Sequence, residues 1–267
     1  MSLENNYLKK NKFYNCMKVC VISGRYPQTK FDSVVNHKLY ADKFGYTYVH
    51  CNWPTTEQNP YYNKICYLLT YIDAYDYLVW IDDDAFFFDF NVNIMDFLPN
   101  EDTFISLCKS PNHKTLKTYF SSGQFILKSS ELSKSFLQEV LKQNLLEIKN
   151  WWTPELGYFS NGDQDAMVYL LLTDDRFKHR AKLFDYKSFN SRPENLFNED
   201  KHDVFLLHFT GKPEIKWSNY MKVQNQLNLN SFLVPNNMLA DYALVDGKSK
   251  KDTKKLTFKR IIKWLFR

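Results

Sequence analysis

The sequence predicts an α/β protein whose central sheet is mostly parallel and flanked by helices. Three observations carry this reading. Short apolar runs such as KVCVIS (18–23) and YLVWI (77–81) alternate with segments of helical character. The 77–81 run is apolar throughout and VCVI (19–22) is apolar within the first, as strands buried on both faces are. An acidic triplet, Asp82 to Asp84, follows the 77–81 run directly, at the carboxyl end where such sheets gather ligands.

The elements follow in order. KVCVIS ends in Gly24 and reads as the first strand. Asp32 or Ser33 can cap a helix that runs to Phe44, with Gly45 just past its end. YTYVH (46–50) alternates as a second strand, residues 61–75 read as a helix, and YLVWI is the third strand. Further strands are expected at TFISL (103–107), QFILK (124–128) and VFLLHF (204–209), and further helices over 130–147 and 163–172. One domain is expected over 1–235, with a linker and tail over 236–267.

Composition bounds the class. The chain has 267 residues, 44% hydrophobic and 24% charged, a globular balance. No run of 18 apolar residues occurs, so no spanning helix is expected. The opening MSLENNYLKKNKFYN is polar and lacks an apolar leader run. Five cysteines without paired spacing read as ordinary thiols of a reducing, cytoplasmic setting. The net charge of +5 is unevenly spread. Residues 248–267 hold nine Lys/Arg against one Asp, which leaves the body mildly acidic and argues against nucleic acid as its partner. On a helical wheel, Phe258, Ile261, Ile262, Trp264, Leu265 and Phe266 oppose Lys259, Arg260, Lys263 and Arg267. Such a basic amphipathic tail fits peripheral contact with an anionic cytoplasmic membrane face. Its apolar arc can equally dock on the body.

The triplet poses a physical problem. In YLVWIDDDAFFFDF (77–90) three carboxylates lie between two apolar segments. Burying unpaired carboxylates is costly and neighbouring ones repel, so cations are required nearby. Two carboxylates at i and i+2 can converge on one hard divalent ion, and Mg²⁺ or Mn²⁺ commonly bridges such ligands to a substrate diphosphate. A solvated acidic turn is the plainer reading, and the flanking apolar residues disfavour it.

Six segments in order extend the case. WIDDDA resembles the D-x-D element of GT-A glycosyltransferases. NHKLYADKFGY (36–46), YYNKICYLL (61–69), SSGQFILK (121–128), GDQDAMVYLL (162–171) and HFTGK (208–212) resemble elements of glycosyltransferase family 34, over residues 18 to about 215. Phe44 stands where that family usually has His, and Lys212 follows Gly211 directly where the family has a spacer. Lys216 is therefore a second candidate for the family's lysine.

The resemblance implies a GT-A, Rossmann-like fold that binds a nucleotide-sugar with Mn²⁺ or Mg²⁺. It implies Asp82, Asp84 and His208 as metal ligands, and Asp163 and Gln164 beside the reacting sugar carbon. Lys64 and Lys212 are candidates for the diphosphate. Ser23, Gly24 and Arg25, at the end of the first strand, are placed for base and ribose, with Lys38 and Asp83 also assigned to the nucleotide. The implied reaction is retaining transfer of a hexose or pentose, such as galactose, glucose or xylose from a UDP-linked donor, to a saccharide or glycolipid acceptor. An inverting enzyme would need a carboxylate base, for which Asp163 or Asp165 could serve, although one of them can instead cap the helix. Trp151, Trp152 and Tyr158 can stack on an acceptor sugar or pack in the core. Two other classes remain open, a metal-dependent sugar nucleotidyltransferase and a non-catalytic carbohydrate-binding protein.

Overall fold

A computed structural model describes residues 17–111, 117–197 and 201–245, the last five by backbone alone. The basic tail expected beyond residue 247 lies outside the described residues. Strand β1 (Val19–Gly24) is followed by helix α1 (Ser33–Phe44), β2 (Thr47–Cys51), α2 (Asn63–Tyr71) and β3 (Tyr77–Ile81). Next come β4 (Ala85–Phe87), β5 (Ile105–Cys108), β6 (Ser121–Lys128), α3 (Glu131–Lys142), α4 (Leu145–Trp151) and α5 (Asp163–Thr173). The chain closes with β7 (Ala181–Phe184), the short α6 (Tyr186–Phe189), β8 (Leu206–His208), α7 (Pro213–Gln226) and α8 (Asn236–Val245).

Six strands form one sheet in the order β2-β1-β3-β6-β5-β7. Only β6 runs against its neighbours; β1 pairs parallel with β2 and β3, and β5 pairs parallel with β7. The expected mostly parallel sheet is therefore present, with one reversed strand. Alternation along the strands explains the continuous apolar runs. Cys20, Ile22, Leu78 and Trp80 join the core cluster that includes Ile65, Phe136 and Met167 of α2, α3 and α5. Val19, Val21, Val79 and Ile81 join a second cluster with Leu39 and Tyr40 of α1. Both faces are covered, which is why the strands carry no polar stripe.

The helices obey local rules. Gly45 ends α1 in the left-handed region at φ 73°, where a residue without Cβ is favoured. The expected helix over 130–147 is two helices. Gln143 leaves the helical region, and the Asn144 side chain accepts from the Leu146 N–H at 3.0 Å to start α4. Helix α8 falls within the expected linker, and Met238 and Leu239 pack on the second core cluster. Among the described residues, no helix is long and apolar enough to cross a membrane.

A two-stranded ladder outside the main sheet positions the site. β4 pairs antiparallel with β8, setting Ala85 opposite His208. Helix α1 clamps β4 from the other side. Asn36 accepts from the Phe87 N–H at 2.8 Å and donates to the Phe87 carbonyl at 2.9 Å, while His37 Nε2 donates to the Ala85 carbonyl at 2.7 Å. The phenylalanines after the triplet alternate sides, Phe86 in the cluster beneath α7 and Phe87 stacked on Tyr40 with ring centroids 3.5 Å apart.

Asp32, just before α1, has its carboxyl pushed up to about 6 by burial, with a Ser231 hydrogen bond opposing. Its folded value thus lies above the unfolded one, near 3.9. Between those two values the native state holds a proton that the unfolded chain has lost, so this group's contribution to stability falls as pH rises from about 4 to 6. Asp32→Asn, which keeps the side-chain size but cannot ionise, is expected to flatten that part of the Tm–pH curve and gain on the wild type toward pH 7. Parallel curves for the two proteins would contradict it.

Candidate active site

The triplet lies in the turn between β3 and β4, closed by the Ala85 N–H donating to the Asp82 carbonyl at 3.1 Å. Each aspartate has its own cation. Lys64 of α2 lies 3.3 Å from Asp82, Arg25 lies 3.9 Å from Asp83, and Lys216 of α7 bonds Asp84. This answers how three adjacent carboxylates are tolerated against a core. Asp82 also accepts from the Trp80 indole N–H at 2.6 Å, and the Thr29 hydroxyl donates to Asp83.

The three carboxyls are held in different electrostatic states. Burial, reinforced by the neighbouring Asp84 carboxylate, pushes Asp83 up to about 7. Burial also acts to raise Asp84, but the Lys216 ammonium is the chief opposing cause, and the carboxyl is held well below the usual range. His208 is lowered by burial despite the pull of Asp84, which favours the neutral ring.

One carboxylate oxygen each from Asp82 and Asp84 and a ring nitrogen of His208 lie within 4.8 Å of one another. Three features fit a divalent cation. The buried Asp84 Oδ1 has no hydrogen-bond donor among the described residues. It faces His208 Nε2 at 3.3 Å. Gly123, at the start of β6, leaves the space beside them open, since a Cβ there would lie 2.5 Å from His208 Cε1 and 3.1 Å from Asp82 Oδ2. Gly123→Ala is accordingly expected to displace the His208 ring and weaken Mn²⁺ binding by the protein roughly tenfold or more. Titration with the metal alone checks this, and an unchanged affinity would show that the space is not used.

On the far side of Asp82, Lys64 is 8% exposed and also lies 3.2 Å from Asp163. It donates to the Ser122 carbonyl at 3.0 Å, and Gln164 Oε1 accepts from the Ser122 N–H at 3.2 Å. Asp82, Lys64, Asp163 and Gln164 thus form one connected group around the start of β6. Asp163 is raised by burial, with Lys64 opposing. For Lys64, burial acts downward, but Asp163 and Asp82 together hold it above its ordinary value. Asp165 is the cap of α5, accepting from the Ser160 and Gly162 N–H groups at 3.1 Å each and from the Ser160 hydroxyl at 2.9 Å.

The other expected residues divide. Ser23 and Gly24 end β1 and Arg25 follows it, with Ser23 in register with Ile81 beside the triplet. Gly24 has φ 152°, and a Cβ there would lie 1.9 Å from the Cys51 carbonyl oxygen, so only glycine fits. Lys38 sits on α1 and pairs with Asp42, one turn along the same helix. Lys212 precedes α7 and is exposed, whereas Lys216, one turn in, reaches Asp84. Trp151 and Trp152 pack on the core, with Trp152 donating to the Gly157 carbonyl at 2.8 Å. Tyr158 is 56% exposed, and Tyr61, also exposed, lies against Gly162 next to Asp163. Thr29, Tyr61, Asn190 and Arg192 were not among the sequence candidates, since nothing local marks them.

With this geometry in place, the fold can be compared. No family model matches the sequence, and no curated protein matches it. Among solved structures, a glycosyltransferase involved in the glycosylation of the major capsid of PBCV-1 superposes with a TM-score of 0.57. The match covers 76% of this chain and 98% of that one at 13% identity. The two chains share a fold. GlyE of Streptococcus pneumoniae TIGR4 (TM-score 0.45, 12% identity) and the bifunctional WbbM (0.43, 11%) align over 76% of this chain, and over 59% and 49% of their own lengths.

Proposed function

We propose that the protein is a divalent-metal-dependent glycosyltransferase that moves a sugar from a nucleotide diphosphate-sugar to a saccharide or glycolipid acceptor. The observation that carries this is the convergence of Asp82, Asp84 and His208 within 4.8 Å at the carboxyl end of β3. The fold shared with a glycosyltransferase supports it. The donor set of two carboxylates and an imidazole suits Mn²⁺ somewhat better than Mg²⁺. Asp82, Asp84 and His208 would hold a cation that would supply neutralisation of the charge developing on the leaving diphosphate, usually a large share of such catalysis.

The chain's own residues supply the rest. Lys216, on Asp84, is the cation placed to contact the diphosphate, in preference to the exposed Lys212. Asp83, with Thr29 and Arg25 about it, stands on the nucleotide side with Ser23 and Gly24. Asp163 and Gln164 face the sugar, and the exposed rings of Tyr61 and Tyr158 offer stacking surfaces for the acceptor. Asp165 is committed to its cap, and Asp163 is paired with Lys64 at 3.2 Å. Transfer without a protein base is consistent with retention, as the resemblance to family 34 implies. The bond from the anomeric carbon to the diphosphate oxygen breaks, the acceptor oxygen bonds that carbon on the same face, and its proton passes to the released diphosphate. UDP-linked galactose, glucose or xylose is the proposed donor.

The test is release of free nucleoside diphosphate from a panel of UDP- and GDP-sugars with Mn²⁺, with and without acceptor saccharides. A nucleotidyltransferase would instead consume sugar phosphate and nucleoside triphosphate, and a carbohydrate-binding protein would turn over neither. An α-linked product from an α-linked donor, read from its anomeric proton by NMR, establishes retention.

A further inference from the structure

The segment that follows α6 runs beside β8, with the His208 N–H donating to the Ser191 carbonyl at 2.9 Å. It carries two buried polar residues that the mechanism above does not use, Asn190 at 0% and Arg192 at 8% exposure. Among the described residues no carboxylate lies within salt-bridge distance of Arg192, and Glu194 and Asp84 act on its buried guanidinium only from farther away. Such burial is costly, and burial pulls this group down to about 10. Its NH1 donates at 2.6 Å to the Asn190 carbonyl and at 2.5 Å to Asn190 Oδ1.

These contacts fix which way the Asn190 amide points. A guanidinium can only donate, so the atom it meets is the amide oxygen. The other end agrees, since Asn190 Nδ2 donates to the Lys109 carbonyl at 3.2 Å. Turning the amide over would set an NH₂ against the guanidinium and an oxygen against a carbonyl. The same Oδ1 lies 3.1 Å from His208 Nδ1. An oxygen in that position demands a proton on Nδ1, so whenever the ring is neutral its lone pair is on Nε2. That nitrogen is the one facing Asp84 Oδ1 at 3.3 Å. In the neutral ring two acceptors then stand face to face, an arrangement that a shared cation stabilises and that repels without one.

We propose that Asn190 and Arg192 are positioning residues, which lock His208 as its Nδ1–H tautomer and hold the Nε2 lone pair toward Asp82 and Asp84. The purpose of this relay rests on the metal-dependent reading above; its existence does not. Ligating histidines commonly have their second nitrogen held this way, and losing the partner typically costs roughly 10- to 100-fold in metal affinity.

The experiment uses the full chain labelled with ¹⁵N, with the His208 ring signals assigned by their loss in His208→Gln. The ring is expected to show a protonated Nδ1 and an unprotonated Nε2 in the metal-free protein. Asn190→Leu is expected to lose this bias and to weaken binding of Mn²⁺ alone, followed by electron paramagnetic resonance of the free ion, roughly 10- to 100-fold. Asn190→Asp, which keeps an acceptor oxygen, is expected to restore both. Arg192→Met, which frees the amide to turn, is expected to fall between them. A wild-type ring protonated on Nε2, or unchanged tautomer and Mn²⁺ affinity in Asn190→Leu, would overturn the proposal. Should Asn190→Leu not fold, the wild-type ring and Arg192→Met decide it. Wild-type protein that binds no Mn²⁺ but shows the Nδ1–H ring would count against the metal reading and leave the relay standing.

Discussion

Asp84→Asn is expected to lower nucleotide-sugar turnover by about three orders of magnitude, or ~4 kcal/mol of transition-state stabilisation. The change keeps side-chain volume but removes the charge that Lys216 and His208 face, and one of the convergent oxygens. The fold should survive, because the Lys216 side chain is 23% exposed and can turn to solvent. Diphosphate release and circular dichroism of the same preparation check both statements. Chelation of the wild type should produce a comparable loss, restored by adding Mn²⁺. Wild-type rates in Asp84→Asn under chelation would remove this carboxylate from the mechanism.

Lys64→Met should act on stability as well as turnover. Asp163 is 2% exposed and Lys64 is the cation beside it. Taking away one partner of a buried pair leaves an uncompensated charge, with an expected loss of roughly 3–5 kcal/mol. Asp82, whose side chain is 29% exposed, can recover solvation more readily. Adding Asp163→Asn to Lys64→Met should therefore return part of the lost stability, although each change alone is destabilising. Urea unfolding of the two single variants and the double variant gives the coupling. Strictly additive losses would mean that the two groups do not act as a pair.

What the sequence makes legible follows from how local each cause is. YLVWI marks β3 at its observed bounds because an apolar run stopped by charge is self-contained. Gly45 marks the end of α1 for the same reason. The reversal of β6 is written in no local pattern, since a strand buried on both faces reads the same in either direction. β8 falls within the expected run 204–209, whereas β4 has only three residues and what defines it is its pairing with β8 across the chain. Asp82, Asp84 and His208 were legible because their residue types and order resemble a known pattern. Lys216 was only an alternative to Lys212, and the choice depends on α7 beginning at Pro213, which places Lys212 before the helix and Lys216 one turn inside it. Arg192 was invisible. In SRPENL it looks like a surface arginine, and only the packing of that segment along β8 buries it.

The pairing of Lys216 with Asp84 spans 132 residues, and this has a consequence for how the chain matures. Synthesis at roughly 5–20 residues per second delivers the triplet many seconds before its last cation. In that interval β1, β2 and β3 can already assemble, since their pairings are parallel neighbours built from the first third of the chain. The turn that follows them emerges with Asp84 lacking both Lys216 and His208, and with Phe86 and Phe87 lacking β8. A nascent chain halted near residue 150 would thus present a repelling acidic knot beside bare aromatic rings, a natural point of contact for a chaperone. Only the arrival of β8 and α7 brings His208 and Lys216 to Asp84. Formation of the Lys216–Asp84 pair during refolding therefore times the completion of the molecule, whereas strand signals report its beginning.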